Sequence, residues 1–217
     1  MDGKTMKIDV ISDVVCPWCF LGKRRLDKAL SLVPEVKIEV AFRPYFLDPS
    51  IPPDGLDRQV YMKEKFGNRD LTSLHKPLVE AGLRDDVPYH FDKITRSPNS
   101  LNAHRLIRWA LQAGKQPQVV DALFCAYWRD GRDVGDNVVL AEIAGLCGMD
   151  AAEVSRLLPT QTDSVAVMEE VEQAYKLGVQ GVPTFILNQR YAVSGAQEVE
   201  VLVDAIRQVA ERAATDP

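Results

Sequence analysis

The fold is decided by residues 7–26, which read KIDVISDVVCPWCFLGKRRL. Apolar residues at 8, 10 and 11 predict a short strand over residues 7–13. From Cys19 onward, apolar and small residues recur at helical spacing until Pro34, which predicts a helix after the strand. A pair of cysteines, Cys16 and Cys19, therefore lies where a strand gives way to a helix.

Two cysteines at positions i and i+3 of a helix N-terminus suit reversible disulfide chemistry. The unpaired N–H groups and the positive end of the helix dipole favour a thiolate, so we expect the Cys16 pKa to fall below about 8.5. Cys16, at the exposed helix entry, is predicted to attack a substrate disulfide, and the more buried Cys19 to resolve the mixed disulfide. Pro17 fits a first helical position, and Trp18 offers apolar area to a substrate.

A metal-binding role for the cysteine pair is the local alternative. A zinc site needs about four ligands, which commonly come as two close pairs. The remaining candidate ligands are scattered along the chain: Cys125, Cys147, His75, His90 and His104. We therefore predict redox chemistry and no metal site.

The rest of the chain predicts an α/β fold with a helical block in the middle. Large apolar residues at 38, 40 and 42 alternate with the residues between them, which predicts a second strand. A turn-rich break follows at residues 49–55. Helical patterns then dominate to about residue 158. After a further helix, residues 183–187 and 191–193 read as two strands, and an amphipathic helix follows them. We expect a mixed central sheet flanked by helices and formed by residues 1–50 and 166–217, with residues 51–165 as a large all-helical insertion.

Composition limits the function classes. The 217 residues carry a formal net charge of -5 without a block of like charge, so neither a nucleic-acid nor a membrane surface is predicted. The first residues are polar and lack the apolar stretch of a secretory signal. Four cysteines in a chain of this length do not form a disulfide scaffold. We expect a cytoplasmic protein.

Four segments resemble the DsbA-like thioredoxins, and within them the FrnE-type subgroup: residues 13–26, 97–106, 178–185 and 191–197. The resemblance implies a thioredoxin fold with a helical insertion, and a protein disulfide oxidoreductase acting on protein or peptide disulfides. It also implies that the Val182–Pro183 bond is cis and faces the cysteines, with the Val182 backbone pairing an incoming substrate strand. A trans proline that opens an ordinary strand is the alternative.

Several further residues have two interpretations each. His104 and Asn99 are candidate substrate contacts, although a packed histidine and a helix-capping asparagine fit the same positions. Cys125 and Cys147 fit small buried residues of helices, or a second disulfide. Trp109 and Trp128 are expected in the core.

The same subgroup is similar to 2-hydroxychromene-2-carboxylate isomerases and kappa-class glutathione transferases. Those enzymes use glutathione and do not need a second cysteine, so the retained Cys19 favours dithiol chemistry here. We expect no tightly bound cofactor, with glutathione as a candidate electron partner. A peptide-binding module with idle cysteines is a third alternative. Oligomeric state and redox direction are not predicted.

Overall fold

The computed structural model describes residues 5–215. The chain opens with strand β1 (Met6–Ser12), helix α1 (Pro17–Ser31) and strand β2 (Ile38–Pro44). β1 and β2 pair in parallel, with Met6 opposite Ile38 and Ser12 opposite Pro44. A parallel pair needs a crossover connection, and α1 supplies it. The predicted strand–helix–strand opening is confirmed.

The insertion is mostly helical, but it also contains one short pair of strands that the sequence does not predict. Leu56–Asp57 pairs antiparallel with Arg96–Ser97, and these two strands are β3 and β4. A π-helical turn, Cys125–Arg129, extends helix α5, and a 3-10 turn lies at Phe91–Lys93. The helices are α2 (Arg58–Phe66), α3 (Leu71–Arg84), α4 (Leu101–Gln112), α5 (Gln116–Phe124), α6 (Asn137–Leu146) and α7 (Ala151–Leu157).

Aspartate caps explain where several of these helices begin. In each case a carboxylate accepts hydrogen bonds from the N–H groups of the first turn, which have no partner within the helix. Such a cap is worth about 1 kcal/mol. The caps of α2, α3, α6 and α7 are Asp57, Asp70, Asp136 and Asp150.

The chain returns to the sheet through helix α8 (Ser164–Lys176), strands β5 (Thr184–Leu187) and β6 (Tyr191–Ser194), and helix α9 (Val199–Thr215). The sheet order is β2-β1-β5-β6, with β5 antiparallel to both of its neighbours. This is the predicted mixed sheet flanked by helices. The division into 1–50 with 166–217 and an insertion 51–165 stays a prediction, and its second boundary falls inside α8.

One hydrophobic core joins the sheet to the insertion. The buried cluster includes Ile8 and Val10 of β1, Phe20 of α1, and Leu106 and Leu123 of the insertion helices. Trp109 and Trp128 also belong to this cluster, as predicted. The insertion therefore does not pack as a separate body but shares its core with the sheet. Within residues 5–215, no helix has the length and apolar character needed to cross a bilayer.

A glutamine side chain from the insertion completes the outer edge of the sheet. Gln116 is 2% exposed, and its Oε1 accepts a hydrogen bond from the Phe42 N–H at 2.9 Å. Its Nε2 donates to the Phe42 carbonyl at 3.1 Å. Because β2 is an edge strand, the amide of Gln116 takes the place of a neighbouring strand at this residue.

We expect Gln116→Met to lower the free energy of unfolding by about 2–3 kcal/mol, since a thioether of similar size leaves the N–H and C=O of Phe42 buried without partners. The control is Gln118→Met on the same helix, where the side chain is exposed and the change should stay within about 0.5 kcal/mol. Urea unfolding followed by circular dichroism measures both. Equal unfolding midpoints for the two variants would contradict this account of the sheet edge.

Candidate active site

The cysteine pair begins helix α1. Cys16 is the N-cap residue, with extended backbone angles of -93° and 116°, and Pro17 is the first helical residue. The Cys16 N–H donates to the Asp13 carbonyl at 3.0 Å, and the Cys16 carbonyl accepts from the Cys19 N–H at 3.1 Å. Both cysteines are free thiols, and Cys16 is close enough to raise the pKa of Cys19. The first turn of α1 therefore brings the two thiols together.

Both cysteines are more enclosed than the sequence predicts. Cys16 is 3% exposed and Cys19 is 1% exposed, so the expected exposed position of Cys16 is wrong. The two still differ, because Cys16 lines a groove of the surface whereas Cys19 lies behind it in the core. Burial, and then the hydrogen bond and charge of Cys16, raise the pKa of Cys19 well above its ordinary value. Contacts from Ser12 and Asp13 act in the opposite direction.

The segment before β5 covers the cysteines from the other side. The Val182–Pro183 bond is cis, as the resemblance implies. The Cys16 thiol donates to the Val182 carbonyl at 3.6 Å. Pro183 packs so closely against α1 that a Cβ added to Gly22 would lie 2.7 Å from the Pro183 Cγ. Glycine is needed at this position of the helix because the approach leaves no room for a methyl group.

Two aromatic residues of the insertion hold the turn that carries the cysteines. The Trp128 Nε1–H donates to the Val14 carbonyl at 3.0 Å, and the Tyr89 hydroxyl donates to the Pro17 carbonyl at 2.7 Å. Burial, followed by the two cysteines, raises the pKa of Tyr89, so its hydroxyl stays protonated as a donor. The sequence predicts Trp128 only as a core residue and does not single out Tyr89.

His104 lies beneath the same turn and not in the groove. It is 3% exposed, and its Nε2 is 3.3 Å from Asp13 Oδ1 and 3.1 Å from the Tyr45 carbonyl. A carbonyl oxygen only accepts, so the proton is on Nε2. The other Asp13 oxygen accepts from the Leu47 N–H at 2.8 Å. The structure thus ties His104 to the turn and to the chain after β2, and does not bring it to a substrate.

Asn99 also stays outside the groove. Its Nδ2 donates to the Ile51 carbonyl at 2.8 Å, and its Oδ1 accepts from the Leu101 N–H at 3.0 Å. Asn99 therefore holds the start of α4, which is the capping interpretation of this position. It lines a separate polar hollow between the turns that precede α2 and α6.

The groove that reaches Cys16 has a volume of about 430 Å³, within the range of about 300–1,000 Å³ for small-molecule sites. Cys16, Pro17, Trp18 and Val182 form one end, so four predicted site residues meet there. Trp18 is 42% exposed, as a substrate contact requires. Apolar side chains of α2 and α3 also line the groove, among them Met62, Phe66, Leu74 and Leu78.

Polar side chains also line the groove. Asp48 Oδ2 accepts from Tyr61 and Lys65, each at 3.0 Å. Burial raises the pKa of Asp48, but hydrogen bonds from Ser50, Lys65 and Tyr61 outweigh it and bring the pKa to about 2. The carboxylate is therefore ionised and paired with Lys65.

His75 and Arg58 complete the polar lining. The His75 ring stacks on Phe91 with centroids 3.9 Å apart. Burial, and then the charge of Arg58, lower the pKa of His75. The sequence gives no signal for Arg58 or for this role of His75, because their positions depend on how the insertion folds back over the cysteines.

The other two cysteines are free thiols as well. Cys125 is buried, and its sulfur accepts a hydrogen bond from Arg24 at 3.6 Å. Cys147 is half-buried at the end of α6. In the described part of the chain, no group of three or more His, Cys, Asp or Glu residues is arranged to hold a metal ion.

Comparisons with solved structures show the same architecture over nearly the whole chain. A probable DsbA oxidoreductase from Streptomyces coelicolor is 30% identical with a TM-score of 0.86, covering 94% of this chain and 89% of that one. A 2-hydroxychromene-2-carboxylate isomerase is 18% identical with a TM-score of 0.70, covering 96% and 98%. The cytosolic disulfide reductase DsbM from Pseudomonas aeruginosa, solved with GSH, is 15% identical with a TM-score of 0.62, covering 96% and 98%.

The similarity to the isomerase and to DsbM is a similarity of fold alone, since their sequence identities to this chain are low. The sequence itself matches the family of DsbA-like thioredoxin domains over residues 7–207, which includes the cysteine turn, the insertion and the cis-proline segment. The predicted thioredoxin fold is confirmed. The chain belongs to the DsbA-like thioredoxin domain family.

Proposed function

We propose that the protein is a thiol–disulfide oxidoreductase that works through Cys16 and Cys19. The observation that carries the proposal is the pair of free thiols one turn apart at the start of α1, one of which lines the groove. Membership of the DsbA-like family and the likeness to a DsbA oxidoreductase support this type of chemistry.

In the first step, the Cys16 thiolate attacks one sulfur of a substrate disulfide. A bond forms between Cys16 Sγ and that sulfur, the substrate S–S bond breaks, and the other sulfur leaves as a thiolate. Cys16 is suited to this role because the positive end of the α1 dipole favours negative charge at the N-cap. The Val182 main chain beside Cys16 is positioned to pair an extended substrate.

In the second step, Cys19 loses its proton to the departed thiolate and attacks Cys16 Sγ. The Cys16–Cys19 disulfide forms, and the second half of the substrate leaves as a thiolate, which takes from water the proton that Cys16 released when it ionised. In sum, the protein dithiol is oxidised to a disulfide while one substrate disulfide is reduced to two thiols. Cys19 lies one helical turn from Cys16 at the start of α1, the spacing that suits formation of this disulfide.

Two molecules of a small thiol return the protein to its dithiol form and are oxidised to one disulfide. We propose glutathione as that electron partner, without a tightly bound cofactor, and a cytoplasmic location. The DsbM structure was solved with GSH and is described as cytosolic, which supports the choice for this fold. In a cytosol poised near -220 to -320 mV, a pair of about -120 mV would stay reduced and would act as a reductase or isomerase.

Equilibration in glutathione buffers of graded poise tests the proposal. We expect one two-electron transition that links Cys16 to Cys19, read by alkylation of free thiols and mass spectrometry. Cys16→Ser and Cys19→Ser should each abolish it and reduce disulfide turnover by at least about 100-fold, since the thiolate is the attacking species. Cys147→Ser, half-buried at the end of α6, is the matched control and should keep both properties.

Absence of the Cys16–Cys19 disulfide at every poise would refute the dithiol mechanism. If Cys19→Ser retained full glutathione-dependent activity, the alternative would stand: an enzyme similar to 2-hydroxychromene-2-carboxylate isomerases or kappa-class glutathione transferases. If Cys16→Ser retained peptide binding and the wild type showed no turnover, the protein would be a binding module.

The raised pKa of Cys19 gives the second step a defined pH dependence. Below that pKa the thiolate fraction rises about tenfold per pH unit, so resolution of the mixed disulfide should accelerate by about 100-fold between pH 6 and pH 8. Stopped-flow release of thionitrobenzoate from a Cys16 mixed disulfide measures the rate, and Cys19→Ser supplies the background. A rate that does not change over this interval would show that Cys19 is already ionised.

A further inference from the structure

Arg58 brings an unbalanced positive charge to the groove. It is the first residue of α2, and its guanidinium hydrogen-bonds to Ser97 Oγ at 3.4 Å. Among residues 5–215, no carboxylate lies within 4 Å of the Arg58 side-chain nitrogens. Lys65, in contrast, is paired with Asp48 at 3.0 Å. Arg58 is therefore the cation of the groove whose charge no described residue neutralises by direct contact.

Apart from the reacting Cys16 sulfur, the charged side chains of the groove sum to a positive value in an acidic protein. Arg58 and Lys65 contribute two positive charges and Asp48 one negative charge, while the whole chain has a formal net charge of -5. His75 adds little at neutral pH because burial and Arg58 lower its pKa. A groove with apolar walls and a net positive charge favours an anion over a neutral or cationic ligand.

The shape of the groove limits the size of that ligand. Its volume of about 430 Å³ suits a small molecule, and Cys16 and Arg58 both contribute to its lining. A guanidinium presents a planar pair of N–H donors that matches a carboxylate in a bidentate manner. A small acidic disulfide inside this groove therefore has the Cys16 sulfur, the Arg58 guanidinium and apolar side chains among the groups that line its site.

We propose that Arg58 binds a carboxylate of the substrate and makes the protein selective for small disulfides that carry one. This inference rests on the proposed oxidoreductase function and names its substrate class. The chemical step is unchanged: the acidic disulfide is reduced to two thiols while the Cys16–Cys19 dithiol is oxidised.

Three disulfides with arms of similar length test the preference: dianionic 3,3′-dithiodipropionate, neutral bis(2-hydroxyethyl) disulfide and dicationic cystamine. The rate at which each oxidises the pre-reduced protein is divided by its rate with free dithiothreitol. We expect the dianion to exceed the neutral disulfide by about five- to tenfold, as one charge-assisted contact allows. Arg58→Gln should lower this ratio to about one. Arg69→Gln, which removes the same charge at an exposed position outside the groove, should keep it.

Equal normalised rates for all three disulfides would overturn the inference and leave the oxidoreductase standing. If no disulfide oxidised the protein, the proposed function would fail. A binding measurement would then test the role of Arg58 independently. For that purpose, ligand-observed NMR measures the affinity of dithiodipropionate for Cys16→Ser and for Cys16→Ser with Arg58→Gln. An affinity about fivefold or more weaker in the double variant supports the carboxylate site, and equal affinities refute it.

Discussion

The hydrogen bonds that hold the turn between β1 and α1 are the interactions on which the rest of the structure depends. Trp128 holds the Val14 carbonyl, Tyr89 holds the Pro17 carbonyl, and the Asp13 carboxylate is bound by His104 and by the chain after β2. All of these groups are buried or partly buried, so each main-chain carbonyl would lose a hydrogen bond if its partner were removed. The start of α1 keeps its position because the insertion supplies these partners.

This arrangement explains why the insertion shares a core with the sheet. A separately folded appendage would present its own polar surface to the cysteine turn, and water would compete for the same carbonyls. Here, Phe20 of α1 stacks on Phe124 with centroids 5.3 Å apart and meets Tyr89 edge-on at 5.9 Å. The apolar contacts exclude water from the region in which the hydrogen bonds form, which strengthens them.

The sequence predicts the parts of the fold that depend on local pattern. The strand before the cysteines, α1 and the two strands after Pro183 were each predicted within about two residues, because period-two and helical spacing are strong there. The short β3–β4 pair was missed because two residues have no periodicity and their pairing joins Leu56 to Ser97. The π-helical turn after α5 was missed because its residues continue a helical pattern.

The same distinction applies to the site. Cys16, Cys19 and Pro17 follow from a motif of four residues, whereas the partners of the turn come from far along the chain. Trp128 is 114 residues from Val14, and His104 is 91 residues from Asp13. Nothing local distinguishes a histidine that binds a buried carboxylate from one that meets a substrate, so the sequence leaves both interpretations of His104 open. Such roles are decided by tertiary packing, which a single sequence does not contain.

In the proposed mechanism, different parts of the chain carry out the chemistry and select the substrate. The strand β1, the helix α1 and the cis-proline segment supply the thiols and the main chain around them, while α2, α3 and the chain before α4 supply further lining of the groove. Since Cys16 is almost fully buried, the proposed mechanism requires a disulfide to enter the groove before its sulfur can meet Cys16 Sγ. The groove charge therefore acts on the substrate before any bond changes. A substitution in α2 can alter which disulfide enters without moving the thiol pair, because the cysteine turn is held by Tyr89, Trp128 and His104, and none of these lies in α2.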